Sequence, residues 1–357
     1  MGLRKLSITD FRCLDSAELE FDARFNLVSG PNASGKTSLL EAIFFLGRGR
    51  SFRTSRTEAL VRHGTHAFVL AGRLGEELGG QVLGMQVTRD GIEARFAGKP
   101  VAALAEVATI LPVQAIDPEV HRLIEEGPQD RRRYLDWGVF HVEPGFVSHW
   151  RRYQRALRQR NAALRSNQPT AVIRAWDPEL TEAGLAVADA RERYVQKLVP
   201  HVVAVAQRLL EAEAELVLHR GWVAERSFNE ALEASWARDL ERGVTHAGPH
   251  RADLAVRIGG VPARDRISRG QQKLLAAALL LGQLRCDAEQ GSPLAALLVD
   301  DPAAELDGEN LERLIREIAE LPAQLFVTAL DPSNAGLRRL GEGHRFHVEH
   351  CKVTRLI

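Results

Sequence analysis

The segment Gly30-Pro31-Asn32-Ala33-Ser34-Gly35-Lys36-Thr37 is a complete G-x-x-x-x-G-K-[ST] string. Its glycines let backbone N–H groups converge on phosphate oxygens, and a helix opening at Ser38 adds the favourable field of its N-terminus. Lys36 is expected to reach the β- and γ-phosphates of a nucleotide, and the Thr37 hydroxyl to hold Mg²⁺. Such a loop needs an acid at the end of a neighbouring buried strand. Leu297-Leu298-Val299-Asp300-Asp301 supplies it. Asp300 is expected to serve Mg²⁺, and Asp301 to orient or deprotonate the attacking water.

These groups can meet only if the chain builds an α/β core around them. Leu3, Leu6, Ile8, Leu19 and Phe21 alternate with polar residues, as strands do. Phe25 to Ser29 is a short apolar strand running into the glycine-rich turn, and Ser38 to Leu46 reads as a helix. Gln81 to Thr88 and Ile92 to Ala97 alternate around Asp90-Gly91, a hairpin signal. Leu111 to Ile116 is a further strand. The same texture returns late in the chain. It gives strand Leu254 to Ile258, helix Gly270 to Leu284, strand Ala295 to Val299, helix Glu309 to Ala319 and strand Gln324 to Thr328.

Between these stretches strand patterns vanish. Trp150 to Arg165 and Pro178 to Glu215 read as helices, interrupted at Asn167–Pro169 and near Pro200. Residues 129–239 are therefore expected to form a helical arm inserted into a discontinuous head of residues 1–128 and 240–357. Arg131, Arg132, Arg133, Arg151, Arg152, Arg155, Arg158, Arg160 and Arg165 have few acids nearby in sequence, Asp136 and Glu143 besides the adjoining Asp130. A second cluster, Arg48, Arg50, Arg53, Arg56 and Arg62, follows the first helix with one acid, Glu58. Basic tracks of this kind suit the phosphates of DNA without reading its sequence. A solvated or internally paired arginine face is the alternative.

The bulk composition narrows the class. Of 357 residues 45% are hydrophobic and 26% charged, which is globular, and 47 Lys+Arg balance 47 Asp+Glu. That balance argues against a uniformly basic coat but leaves room for a local track. Cys13, Cys286 and Cys351 have no paired spacing and read as reduced thiols of a cytoplasmic protein. No secretory signal is apparent at the start, and the densest apolar run, Leu274 to Leu281, falls far short of the ~20 residues that span a bilayer.

Ile267-Ser268-Arg269-Gly270-Gln271-Gln272, directly before a helix, resembles the signature motif of the ABC ATPase superfamily, with Arg269 standing where a glycine is usual. Ala304-Glu305-Leu306-Asp307 is similar to that superfamily's D-loop, and Gln114 is a candidate for its Q-loop glutamine. The resemblance implies an ATP-dependent homodimer in which Ser268, Arg269, Gly270, Gln271 and Asp307 of one copy complete the ATP site of the other. It also implies catalytic work for Lys36, Gln114 and Asp301. After strand Gln324–Thr328 the chain reads Ala329-Leu330-Asp331, where the superfamily commonly places a histidine. A slow, switch-like ATPase is the expectation.

A finer resemblance, to the RecF family, covers nearly the whole chain. It rests on LRKLSITDFRCL (3–14), GPNASGKTSLLEAIFFLGRGRSFR (30–53), LPVQAIDPE (111–119), GPQDRRRYLDWGVFHVEPGF (127–146), RQRNAALR (158–165), GPHRADL (248–254), SRGQQKLL (268–275) and VDDPAAELD (299–307). This resemblance implies a recombination mediator that dimerises with ATP and Mg²⁺ on double-stranded or gapped DNA. It would act with RecR and RecO to load RecA in DNA repair, replication restart and the SOS response.

Rival readings are the ATPase of a transporter and a chromosome-organising head. The first leaves the arm unexplained. The second demands sustained heptads, which Pro169, Pro178 and Pro200 interrupt. A non-hydrolysing module that keeps ATP as dimer glue stays open, because Asp301 stands where glutamate is more usual. The missing late histidine predicts phosphate release under Mg-ATP slower than roughly 10 s⁻¹, the enzyme median; faster steady-state turnover would refute the switch.

Overall fold

The computed structural model describes residues 2–75, 80–143, 145–333 and 336–356; Pro144 of the 127–146 string lies outside them. The chain divides into two compact units, Met1–Val120 with Pro293–Ile357, and His121–Ser292. The first unit opens with β1 (Leu3–Phe11), β2 (Leu14–Glu20), β3 (Phe25–Ser29), α1 (Lys36–Arg48), β4 (Phe68–Leu74), β5 (Val82–Thr88), β6 (Gly91–Phe96), β7 (Lys99–Pro100), α2 (Leu104–Ile110) and β8 (Val113–Ile116). The second holds α3 (Arg122–Glu125), α4 (Pro128–Val142), α5 (Phe146–Arg165), α6 (Thr170–Arg174), α7 (Asp177–Leu210), β9 (Ala214–His219), α8 (Phe228–Arg242), β10 (Asp253–Ile258), β11 (Val261–Pro262), α9 (Ala263–Arg266) and α10 (Arg269–Glu289). The first unit resumes with β12 (Ala296–Val299), α11 (Pro302–Glu305), α12 (Gly308–Ala319), β13 (Gln324–Ala329), β14 (His344–Glu349) and β15 (Lys352–Leu356).

Two six-stranded sheets make the first unit. One is antiparallel, in the order β2-β1-β4-β5-β6-β7; the other runs β15-β14-β3-β13-β12-β8 and is parallel except for its edge strand β15. Strands β3, β12 and β13 are buried at every position, which is why they read as unbroken apolar runs. Helix α1 packs on β1, β4 and β5 of one sheet and on β8 and β13 of the other. Lys36 and Ser38 to Gly47 are accordingly all buried, the behaviour of a helix apolar on every side. Two glycines permit the approach. A Cβ on Gly47 would lie 2.4 Å from Val113, and one on Gly72 would lie 2.5 Å from Leu46. The hairpin expected at Asp90-Gly91 forms, with Arg89 and Asp90 in the turn and Gly91 paired to Thr88.

The second unit is organised along α7, a 34-residue helix that contains Pro200. The interruption expected there does not occur. Pro200 and Gln196, whose carbonyl loses its intrahelical donor, are both exposed, so water can replace the bond. On the opposite face Leu198, Val202 and Val205 are fully buried, and Gly282 lets α10 come close: a Cβ there would sit 2.7 Å from Val202. Strand β9 begins where helix was expected, and pairs with β10 from Asp253↔His219 to Ile258↔Ala214. That pairing, with the packing of α10 on α7, groups residues 240–292 with the helices. The expected boundaries at 129 and 239 therefore differ from the compact ones at 121 and 292.

The GPHRADL segment is the internal buckle of this unit. Arg191 donates to the Pro249 carbonyl at 2.7 Å, Arg132 to that of Ala252 at 2.7 Å, and Arg131 forms two bonds to Asp253 at 2.8 and 3.0 Å. His250 Nε2 lies 2.9 Å from the Thr245 carbonyl and must donate to it, so Nδ1 accepts from the Tyr153 hydroxyl at 2.5 Å. Burial, aided by Arg251 and Arg132 and opposed by the Thr245 bond, pushes the imidazole down to about 4 from its ordinary 6.5. The unfolded chain takes up a proton near 6.5 that the folded chain refuses until about 4. This share of stability is thus present above the unfolded value and lost as pH falls between the two. His250→Phe, which keeps a ring but cannot titrate, should cost about 1–3 kcal/mol at pH 7 by stranding the Tyr153 hydroxyl. In urea unfolding the gap between the two proteins should narrow from pH 7 to 4; a constant gap would refute a neutral His250.

Candidate functional site

Strand β3 delivers the chain into the glycine-rich loop with no freedom to spare. Gly30 has φ 149° and Gly35 φ 113°, where a side chain is strained. A Cβ on Gly30 would stand 2.1 Å from the Val348 carbonyl oxygen. Ala33, the one non-glycine of the loop in the left-handed region, has φ 61°. The loop frames a cavity of about 430 Å³ lined by Asn32 to Ser38, Cys13, Arg53, Pro118, Asp300, Asp301 and Ala304.

Inside it Lys36 is 6% exposed, and its ammonium is folded back onto the Gly30 and Pro31 carbonyls at 2.7 and 2.9 Å. Burial holds its pKa below the usual lysine range, with the Asp301 and Asp300 charges opposing that shift. The Thr37 hydroxyl donates to both Asp300 oxygens, at 2.9 and 3.1 Å. Thr328, fully buried at the end of β13, donates to Asp300 at 2.7 Å and accepts the Asp301 N–H at 2.8 Å. The Asp300 N–H is spent on the Ile116 carbonyl at 2.9 Å, which ties in the end of β8. Asp301 itself has φ 43° and ψ 59°, a left-handed conformation costing roughly 1–2 kcal/mol for a residue with a Cβ.

The groups present suit a triphosphate and a hard cation. A lysine ammonium and the N-terminus of α1 answer phosphate charge. Ser34 is 6% exposed, and its hydroxyl has no hydrogen-bond partner among the described residues. Thr37 and Asp300 together offer oxygen ligands of the kind Mg²⁺ takes.

Other residues singled out in the sequence fall elsewhere. Gln114 is 5% exposed in β8, opposite Leu297, and does not line the cavity; Pro118 is the residue of that segment that does. Ser268 N-caps α10, accepting the Gln271 N–H while Gln271 Oε1 accepts the Ser268 N–H, and Ser268 to Gln271 are exposed. Asp307 caps α12 by accepting from both the N–H and the side-chain amide of Asn310, which hold its carboxyl below the usual range.

Of the first arginine cluster, Arg53 lines the cavity and faces Glu41 at 3.5 Å, the Arg48 guanidinium lies over Phe44, and Arg62 pairs with Asp15 at 2.9 Å. Arg50 and Arg56 are exposed. The arm's arginines are paired more than the local sequence suggested. Asp253 meets Arg131, Glu179 and Glu182 meet Arg152, and Asp177 and Asp239 meet the fully buried Arg160. Arg151, Arg155, Arg158 and Arg165 stay exposed.

Sequence reasoning missed Thr328, and also the Arg12–Glu41 pair beside the cavity, with bonds of 2.8 and 2.9 Å to a fully buried carboxylate. A threonine after the apolar run Leu325-Phe326-Val327 was the available signal for the first; nothing local announces the second.

A phosphate loop between a parallel sheet and an antiparallel one, answered by a strand-end Asp pair, defines an ABC/SMC-type ATP-binding head. A family model described as the RecF/RecN/SMC N terminal domain matches residues 2–336. The chain is 37% identical to the DNA replication and repair protein RecF of Shewanella piezotolerans and 38% to that of Shewanella oneidensis, each over 99% of both chains. A solved structure of the recombination mediator protein RecF-ATP in the RecFOR pathway superposes with a TM-score of 0.87 at 27% identity, covering 99% of this chain and 97% of the other. The chain belongs to the RecF family.

Thr328→Val keeps the shape of the strand end but removes both hydroxyl bonds to the Asp pair. It should weaken ATP binding about tenfold, the worth of one ordinary hydrogen bond near 1.4 kcal/mol. Titration with a fluorescent ATP analogue checks this; unchanged affinity would show that Thr328 does not position the acids.

Proposed function

We propose that this chain is a DNA-binding recombination mediator that uses slow Mg-ATP hydrolysis as a dimer switch. In this reading Lys36 and the loop Gly30–Thr37 hold the phosphates. Thr37 and Asp300 would hold Mg²⁺, which supplies charge neutralisation at the phosphates. Asp301, displaced into the cavity by its left-handed backbone, orients or deprotonates the attacking water. Gln114 acts through the strand end that it helps to bury. ATP-dependent pairing of two copies brings Ser268, Arg269, Gly270, Gln271 and Asp307 of one to the nucleotide of the other. The functional head then takes in residues 240–357 with 1–128, and residues 129–239 form its arm.

The observation that carries the dimer is Gly270. It lies in the first turn of α10 without a positive φ, and a Cβ there would meet nothing within 4 Å. Glycine costs about 1 kcal/mol in a helix, and no neighbour among the described residues requires it. A ligand approaching the exposed helix N-terminus closely does, and an anionic phosphate suits that end.

DNA recognition is supported by the RecF relatives and by the exposed Arg50, Arg53 and Arg56, with Arg48 half-buried beside them. Gapped duplex is the proposed target and DNA stimulation of turnover the proposed coupling, with RecR and RecO as partners and RecA loading in the cytoplasm as the outcome. The alternative, an ATPase subunit of a transporter or a chromosome-organising head, fits less well with end-to-end similarity to RecF proteins.

Light-scattering mass with Mg-ATP, with and without a gapped duplex, tests this together with phosphate release. A 39.5 kDa monomer should pair on adding ATP, and gapped DNA should raise turnover. An ATP-driven dimer indifferent to DNA at low salt would leave the ATPase and remove the repair role. Lys36→Ala should lose both nucleotide binding and pairing. Asp301→Asn should pair, stay paired and hydrolyse at least tenfold more slowly; normal turnover would take Asp301 out of the mechanism.

A further inference from the structure

Two of the three cysteines, far apart in sequence, meet at the phosphate loop. Cys13 occupies the turn between β1 and β2, is exposed and lines the nucleotide cavity. Cys351 occupies the turn between β14 and β15, where it and His350 both hold positive φ, 59° and 47°. Its N–H donates to the Ser34 carbonyl at 3.0 Å, so this hairpin turn is fastened to the loop itself. Gly35 lies between the two residues. A Cβ placed on it would stand 3.1 Å from Cys13 Sγ and 3.6 Å from Cys351 Cα. The two cysteines thus flank Gly35 on either side, and Cys13 Sγ lies 3.8 Å from the Ser38 hydroxyl. Burial and the neighbouring Cys13 together push the Cys351 thiol up to about 11. The third cysteine, Cys286, is buried in the other unit.

We propose that Cys13 and Cys351 are a modification site, a thiol pair that a hydroperoxide converts to a disulfide and that thereby closes the nucleotide cavity. The exposed Cys13 is the attacking thiol. Its thiolate attacks the near peroxide oxygen and the O–O bond breaks. The leaving alkoxide or hydroxide takes up a proton, and Cys13 becomes a sulfenic acid. Cys351 then attacks the Cys13 sulfur, the S–O bond breaks, and hydroxide leaves as water with the Cys351 proton. Two thiols lose two electrons and the peroxide gains them. An accessible thiol beside a resolving one is the arrangement that favours this chemistry.

Closing the bond draws the two sulfurs to about 2.05 Å. It pulls the two turns together across Gly35, where even a Cβ would already stand 3.1 Å from Cys13 Sγ and 3.5 Å from Val348. The loop that cradles phosphate is then clamped from both sides, and reduction by a thiol restores it.

This rests on the nucleotide reading of the cavity, and the test separates the two. Full-length protein is treated with hydrogen peroxide, digested without reductant and examined by mass spectrometry. Binding of a fluorescent ATP analogue is measured before treatment, after it, and after dithiothreitol. A Cys13–Cys351 cross-linked peptide with at least tenfold weaker binding, recovered on reduction, is expected. Cys351→Ser should bind as the reduced wild type does, form no cross-link and keep its affinity after the same treatment. Absence of the cross-link, or a cross-link that leaves affinity unchanged, overturns the proposal. Reduced wild type that binds no ATP, whatever the cross-link does, removes the nucleotide reading and the gate with it.

Discussion

Asp300 is a carboxylate only 8% exposed, and taking such a charge out of water costs several kcal/mol unless hydrogen bonds replace the solvent. Its donors come from separate places: the Thr37 hydroxyl at the start of α1 and the Thr328 hydroxyl at the end of β13. Its own N–H reaches the last carbonyl of β8. These bonds can form together only if β3, β13, β12 and β8 lie side by side in parallel, because only then do their carboxyl ends share one edge. Ligands of open α/β sheets gather at that edge. The sheet order and the cavity are therefore consequences of one requirement.

Rigidity follows from how α1 is held. A helix buried against two sheets cannot shift without opening both, so the loop that begins it inherits a fixed position. That burial offsets the strained backbone at Ala33 and Asp301. Such residues persist only where the surroundings over-determine them, and they concentrate at functional sites. Gln324 adds a stitch by binding the Leu3 N–H and carbonyl at 2.8 and 2.9 Å, which joins the first strand of one sheet to the start of β13 in the other.

The neutral balance of charge takes a definite form in the second unit. Arg160 is fully buried among Asp177, Asp239 and Thr245, and Arg191 reaches Asp136 and the Pro249 carbonyl. Arginine suits this role because its guanidinium serves several acceptors at once and remains charged when buried. Much of the basic density in the arm thus holds the unit together. Among the residues that stay turned to solvent, Gly270 is one whose identity the packing of the described residues does not explain.

How much was legible in the sequence follows from the range of each signal. The phosphate loop, the Asp pair, the buried strands and the hairpin at Asp90 are local: a few consecutive residues fix a backbone state or a period of burial. Pro200 misled because its effect depends on whether the freed carbonyl faces water, and β9 was hidden because its partner β10 lies beyond an intervening helix. Gln114 was correctly placed on a strand, yet it does not line the cavity. The pairing of Arg131, Arg152 and Arg160 was hidden in the same way, since their acids arrive from as far as Asp253. By itself the sequence determined the chemistry available and the strands and helices that carry it. Only the tertiary structure decided that Thr328 joins the two acids, that Arg53 turns toward the cavity, and that Cys13 meets Cys351, because each contact is between residues that only folding brings together.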